Sequence, residues 1–218
     1  MRSRTHILIL VRGESKRIPE KNLQTVGDES LLATAIKTGK NTGLPVVVSS
    51  DSDKLLEIAH EHEVETLQRP DKLATDTATS VAATIHACDA LKLTGSVVLL
   101  QVTNPFVRPE DIQRAVLVHE RTGKAVFAAQ RHPQSLQAWS YDAPLFPVCQ
   151  EVRSQDLPPV FLPAGAFFVQ QVKYLRREKS FFRPAAIPFE IPSERIVDID
   201  TPEDLEFARF KWARLAQH

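Results

Sequence analysis

Ile7-Leu8-Ile9-Leu10-Val11-Arg12-Gly13-Glu14-Ser15-Lys16-Arg17-Ile18-Pro19-Glu20-Lys21-Asn22 is the stretch on which the reading of the whole chain turns. Five apolar residues run without a polar break and then give way at once to charge. An unbroken apolar run of that length predicts a strand buried on both faces, the kind found in parallel sheets. The segment after it predicts a loop at the strand's carboxyl end, where open α/β sheets bind ligands. Arg12, Lys16, Arg17 and Lys21 make that loop strongly cationic, and Ser15 and Asn22 add neutral hydrogen-bonding groups. Cations at such a place suit a polyphosphate, because charge-assisted hydrogen bonds to phosphate are among the strongest available. A solvated basic connector is the alternative. Two features speak against it: the loop holds few acidic partners of its own, and Pro19 stiffens it. Neither Gly-x-x-x-x-Gly-Lys-Ser/Thr nor Gly-x-Gly-x-x-Gly is present, which counts against a P-loop and against a dinucleotide oxidoreductase. Side chains more than a glycine-rich backbone would hold the phosphates.

Outward from this loop the chain alternates. Ser30 to Lys37 predicts a helix that Gly43 closes, with Ser30 near its N-cap. Pro45 to Asp51 predicts a strand with a polar end, Asp53 to His62 a helix, and Val64 to Leu67 a short strand. Pro70 delays the next helix, for which Asp76 or Thr77 is the expected cap, and which runs to about Leu91. Ser96 to Gln101 predicts a main strand, Pro109 to Gly123 a helix, and Ala125 to Gln130 a strand. Gly165 to Val169 predicts a strand and Tyr174 to Lys179 a helix. Ile196 to Asp200 is expected as the last strand, followed by a closing helix from Pro202 to about Ala216. Such alternation implies an α/β fold with a mostly parallel sheet and right-handed crossovers. The pattern fails between Arg131 and Pro163, which is rich in proline yet carries Trp139, Phe146, Val160 and Phe161. Those side chains are too apolar to leave in water, so the segment is expected to pack against something.

The bulk properties narrow the class. The 218 residues fit one domain and can bury a sizeable core. Lys plus Arg equals Asp plus Glu at 27 each, so no global charge drives binding to nucleic acid or a membrane surface. Cys88 and Cys149 are the only cysteines, which argues against a disulfide scaffold and a cysteine-ligated zinc site. No stretch reads as a signal peptide or is long enough to span a bilayer, and a cytoplasmic enzyme is expected. His60 and His62 lie two apart and do not share a helix face, so no metal role is expected of them.

Asp198 and Asp200 alternate along the expected last strand and would point to one face. Two carboxylates there repel unless a cation sits between them. Mg²⁺ fits, since one or two carboxylates plus substrate phosphates usually hold it. Helix capping and exposure to solvent are the alternative.

Arg-Gly-x-Ser-Lys-Arg-Ile-Pro-x-Lys-Asn after the first strand resembles the signature of the CMP-sialic acid synthetases, the acylneuraminate cytidylyltransferases, which include enzymes for pseudaminic and legionaminic acids. Further segments resemble that family in its order: Arg69-Pro70 through Leu73-Ala74-Thr75-Asp76-Thr77, Leu100-Gln101-Val102-Thr103-Asn104-Pro105, and Asp198-x-Asp200 before Thr201-x-x-Asp204-Leu205. The resemblance spans nearly the whole chain. It implies a Rossmann-like, nucleotide-diphospho-sugar transferase type of fold with helices on both faces, and a homodimer built through residues 131–163. It implies that CTP and an acidic nine-carbon sugar react with Mg²⁺ to give the CMP-sugar and pyrophosphate. Arg12, Gly13, Ser15, Lys16, Asn22, Arg69, Ala78 and Ser80 would bind the nucleotide, and Gln101, Ala164, Gly165 and Phe168 the sugar. Arg12, Lys21, Asp198 and Asp200 would serve catalysis, the two aspartates as metal ligands with Asp200 the principal one. A CMP-KDO-type synthetase and a non-catalytic nucleotide-binding homologue are the alternatives. The chain departs from the family at Glu14, and on the sugar side at Leu162, at Ala164-Gly165-Ala166, at Phe168, and at Gln134-Ser135-Leu136 after His132-Pro133. These departures imply a different nonulosonate or, less simply, lost activity.

Overall fold

A computed structural model describes residues 5–132 and 160–215. The apolar run forms β1 (Thr5–Leu10), in which Ile7, Leu8 and Ile9 have no exposed surface. A strand buried to that degree must be covered on both sides, and the sheet around it is. β1 pairs in parallel with β4 (Val46–Ser50) on one side and β6 (Ser96–Leu100) on the other; β4 pairs in parallel with β5 (Glu65–Gln68). The sheet continues through β8 (Val160–Gln171), β7 (Val126–His132) and β9 (Ile187–Glu190), giving the order β5-β4-β1-β6-β8-β7-β9. β8 runs antiparallel to β6 and β7, whereas β7 and β9 are parallel. A separate small hairpin pairs β2 (Thr25–Val26) with β3 (Glu29–Ser30).

Successive side chains of a strand point to opposite faces, and here they divide the core. Ile7, Ile9, Val46 and Val48 join the side covered by α1 (Leu31–Lys40), α2 (Asp53–Glu61), α4 (Pro109–Thr122) and α6 (Pro202–Leu215). Leu8, Val47, Val97 and Leu99 join the side covered by α3 (Ser80–Ala90) and α5 (Val172–Glu178). Cys88 sits in this second layer as a buried free thiol, pushed up to about 11 by burial. The architecture is the Rossmann-like, mostly parallel sheet with helices on both faces that the sequence predicts.

Local signals place most helix ends. Ser30 Oγ accepts from the Ala33 amide and starts α1. Pro109 opens α4 and Gly123, at φ 66°, ends it in the left-handed conformation that glycine tolerates best. Thr201 and Asp204 cap α6 reciprocally, each accepting from the other's backbone N–H.

Three expectations are corrected. The helix α3 starts later than expected, with Thr79 accepting from the Ala82 amide, and neither Asp76 nor Thr77 is its cap. Ile196 to Asp200 is not a strand. Its alternation is real in burial, since Val197 and Ile199 are buried, but only the Ile199 amide makes a strand-like bond, to Thr103 O at 2.9 Å. The third correction, to the loop's acidic partners, belongs to the site. Residues 133–159, including Trp139, Phe146 and Cys149 and most of the expected dimerisation segment, lie outside the described residues. The strands that enter and leave that segment are paired to its edge, His132 against Val160.

Candidate active site

The carboxyl ends of β1 and β6 open onto a cleft of about 520 Å³. The loop after β1 forms one wall, Leu73 to Asp76 and Ala78 to Ser80 at the start of α3 form another, and Leu99 with Gln101 to Thr103 forms the floor. Arg12, Ser15, Lys16, Lys21, Asn22, Arg69, Ala78, Ser80 and Gln101 all line it. Residues up to 89 positions apart in sequence thus meet in one cavity, among them most of those expected at the nucleotide together with Lys21 and Gln101. Gly13, Asp198, Asp200, Ala164, Gly165 and Phe168 are not among its lining residues.

The loop is held by groups that the sequence does not single out. Asp51, just past β4, accepts from the Gly13 amide at 3.1 Å and pairs with Arg69 at 3.5 Å. Asn22 spends its amide N–H on the Arg12 carbonyl at 2.8 Å, so it braces the loop from within. Gly13 has a steric duty besides: a Cβ there would stand 3.0 Å from Ser52 Cβ. Arg69 is 5% exposed and also donates to the Val11 carbonyl, while its Nε has no partner among the described residues. Burial lowers its pKa despite Asp51. A buried guanidinium with an unused donor at the edge of a cleft is incompletely compensated, and an anion would complete it.

The loop's cations are not short of acidic partners, contrary to the sequence expectation. Asp76 bridges two of them, with Oδ1 2.7 Å from Arg12 and Oδ2 2.5 Å from Lys16. Asp200 Oδ1 meets the other two, Lys21 at 2.9 Å and Arg17 at 3.1 Å. The acids come from residues 64 and 183 positions away from Arg12 and Arg17, which is why the loop's own sequence looked uncompensated. The Lys16 hydrogen bond, then that of Arg12, holds the Asp76 carboxyl below the ordinary range, and the same contact raises Lys16. Asp200 is lowered mainly by its hydrogen bond from Lys21, with Arg17 adding to it.

Asp198 is in a different electrostatic state. Although Asp198 is exposed by surface area, the protein around its carboxyl and the nearby Asp200 carboxylate push it up, against a hydrogen bond from Thr103. It forms no ion pair among the described residues. Its Oδ1 accepts from Asn104 Nδ2 at 3.3 Å, and the same nitrogen is 3.3 Å from the Gly165 carbonyl. Gly165 lies where β8 bulges: Phe127 pairs with Phe168 but Ala129 pairs with Pro163, leaving extra residues on β8. At φ 64° it turns its bare Cα toward Asp198, where a Cβ would stand 2.8 Å from Oδ2. Asn104 and Gly165 therefore form a cradle for the Asp198 carboxylate.

The remaining sugar-side residues are dispersed. Ala164 is buried in β8 beside the bulge. The Phe168 ring packs on Phe181 and Phe182, with centroids 5.3 and 5.5 Å away, in the layer under α3 and α5. Asp51, Asp76, Asn104 and Thr103 are the functional candidates that sequence reasoning missed. Asp51 carries a signal, as the polar end of a strand; Asp76 stands in the sequence as an expected cap and as part of the segment from Arg69 to Thr77 that resembles the family, with no role of its own.

A cationic loop after the first strand, opposite a small-residue wall, on a mostly parallel sheet defines a nucleotidyltransferase-like enzyme. Residues 6–189 match the cytidylyltransferase family, and the chain belongs to it. Over 93% of both chains it is 30% identical to the pseudaminic acid cytidylyltransferase of Campylobacter jejuni. It is 31% identical to the CMP-N,N'-diacetyllegionaminic acid synthase of Legionella pneumophila over 90% of this chain and 91% of that one. Its fold is that of CMP:2-keto-3-deoxy-manno-octonic acid synthetase, solved with CTP: TM-score 0.75 over 99% of each chain, at 14% identity. Among the described residues no helix is long and apolar enough to cross a membrane.

Proposed function

We propose that this cytidylyltransferase activates a nonulosonic, sialic-acid-like sugar acid with CTP. The observation that carries the reading is the polarity of the cleft. Its lining combines two sets of residues: the cations Arg12, Lys16, Arg17, Lys21 and Arg69, and the small or uncharged Ala78, Ser80, Ala83, Leu99 and Gln101. The first suits a triphosphate, the second a pyrimidine. The relatives' names, which speak of pseudaminic and legionaminic acids, support the sugar class.

The triphosphate would lie along the loop after β1. An anomeric hydroxyl of the sugar acid would attack the α-phosphorus in line. The new sugar O–P bond forms as the bond to the β-phosphate oxygen breaks, the hydroxyl proton is released, and pyrophosphate leaves. Arg12, Lys16 and Lys21 would balance the charge that builds on the leaving phosphates. Such chemistry depends on positioning and electrostatic stabilisation more than on a protein nucleophile.

Mg²⁺ is part of the same proposal. Asp198 supports it: an exposed carboxylate that feels the charge of Asp200 and has no cationic partner among the described residues is one that a divalent ion would relieve. Asp200 already has Lys21 and Arg17, so on charge grounds Asp198 would be the first ligand with Asp200 beside it, in place of the expected order with Asp200 as principal ligand. The ion would neutralise phosphate charge, and substrate phosphates would supply its remaining ligands. A homodimer formed through residues 131–163 and a cytoplasmic location complete the reading.

The test is pyrophosphate release from CTP, with Mg²⁺, against a panel of sugar acids. Release with a nonulosonic acid is expected. Release with 3-deoxy-manno-octulosonic acid alone would overturn the sugar assignment, and CTP binding without release from any acid would overturn catalysis.

A further inference from the structure

Asp76 has no place in the reaction as described, yet it makes the closest ion pairs in the cleft. Each of its two oxygens takes a different loop cation: Oδ1 takes Arg12 and Oδ2 takes Lys16. It reaches them from the opposite wall, four residues before α3 begins, so the contact ties the two walls together across the cleft. All three side chains are substantially exposed, 40% for Arg12, 77% for Lys16 and 46% for Asp76. Exposed ion pairs of this kind are weak and readily exchanged.

We propose that Asp76 is an internal stand-in for phosphate: its carboxylate holds Arg12 and Lys16 in the cleft until a polyphosphate displaces it. This deepens the reading above and rests on it for the identity of the nucleotide, though not for the polyphosphate itself. Two consequences follow from the charges. Arg12 and Lys16 are kept pointing at the place where phosphates bind, which saves ordering two long side chains on binding. An arriving anion must also compete with a carboxylate, so weak single anions are disfavoured and pyrophosphate is helped to leave after transfer. Asp76 is thus a residue that lowers affinity for polyphosphate, the reverse of a binding residue.

The sign of the effect makes the test decisive. Calorimetry on the full chain, in metal-free buffer at low salt, measures inorganic pyrophosphate binding to wild type, Asp76→Asn and Asp76→Ala. Both variants should bind pyrophosphate about five- to tenfold more tightly, the scale of one unit-charge interaction at contact distance in a watery setting. The gain should fade as salt screens it. Asp89→Asn removes an equal charge from the far end of α3, where it pairs with Arg176, and controls for net charge. Its pyrophosphate affinity should match wild type. Turnover by Asp76→Asn should become more sensitive to added pyrophosphate. Unchanged or weakened pyrophosphate binding in both folded Asp76 variants would overturn the proposal. Tighter pyrophosphate binding in the variants together with no CTP binding by wild type would leave the stand-in intact and overturn the cytidylyl reading instead.

Discussion

Asp198 and Asp200 differ in what surrounds them more than in what they are. Asp200 answers two cations and is held ionised by them, whereas Asp198 is exposed, carries no ion pair among the described residues and is positioned by Asn104. The two asparagine variants should therefore separate. Asp198→Asn removes the charge that a divalent ion would neutralise, and both Mg²⁺ affinity in the presence of CTP and turnover should fall by orders of magnitude. Asp200→Asn frees Lys21 and Arg17 from their shared acid; turnover should fall strongly while Mg²⁺ affinity falls less. Melting curves should show both variants folded, since Asn retains the shape. Equal loss of Mg²⁺ affinity in the two would show that the ion is shared evenly and that the partners of Asp200 do not matter.

Elements meet at this site through irregularity. The bulge in β8 needs a residue at φ 64°, which glycine adopts at little cost and an L side chain at about 1–2 kcal/mol. The same residue must leave room for the Asp198 carboxylate. Gly165→Ala should lower the melting temperature by about 2–8 °C, the range that such a cost produces in a domain of this size. Its larger effect should be on turnover, because the new methyl displaces Asp198. A stability loss with turnover intact would show that the carboxylate does not need this cradle. The position was legible in the sequence as the glycine of the triplet expected near the sugar, but its partner was not. Nothing in Ala164-Gly165-Ala166 points to Asp198, 33 residues on, until β8 and the segment after β9 are folded side by side.

At the scale of the whole molecule, the sheet has one antiparallel strand among the described residues, β8, and it is entered after residues 133–159. The proposed dimer would be formed by that segment, whose Trp139 and Phe146 need apolar partners. Sedimentation should give a dimer for the full chain and a monomer for a variant in which a short turn replaces residues 133–159, joining His132 to Val160 where they already pair. A dimer that persists in the shortened chain would place the interface elsewhere.

The sequence by itself determined the layered α/β plan, the cationic loop after β1 and most helix ends. Those depend on interactions within a few residues: an unbroken apolar run at β1, the side-chain cap at Ser30, the proline that opens α4 and the glycine that ends it. Only the tertiary structure decided how the charges are paired. Arg12 and Lys16 find Asp76, Arg17 and Lys21 find Asp200, and Arg69 finds Asp51, all across long sequence separations. It also decided that Ile196 to Asp200 is no strand. Alternation fixes which side chains are buried, and Val197 and Ile199 are. A ladder needs a neighbouring backbone along its length, and this segment meets one at Ile199 alone, through Thr103.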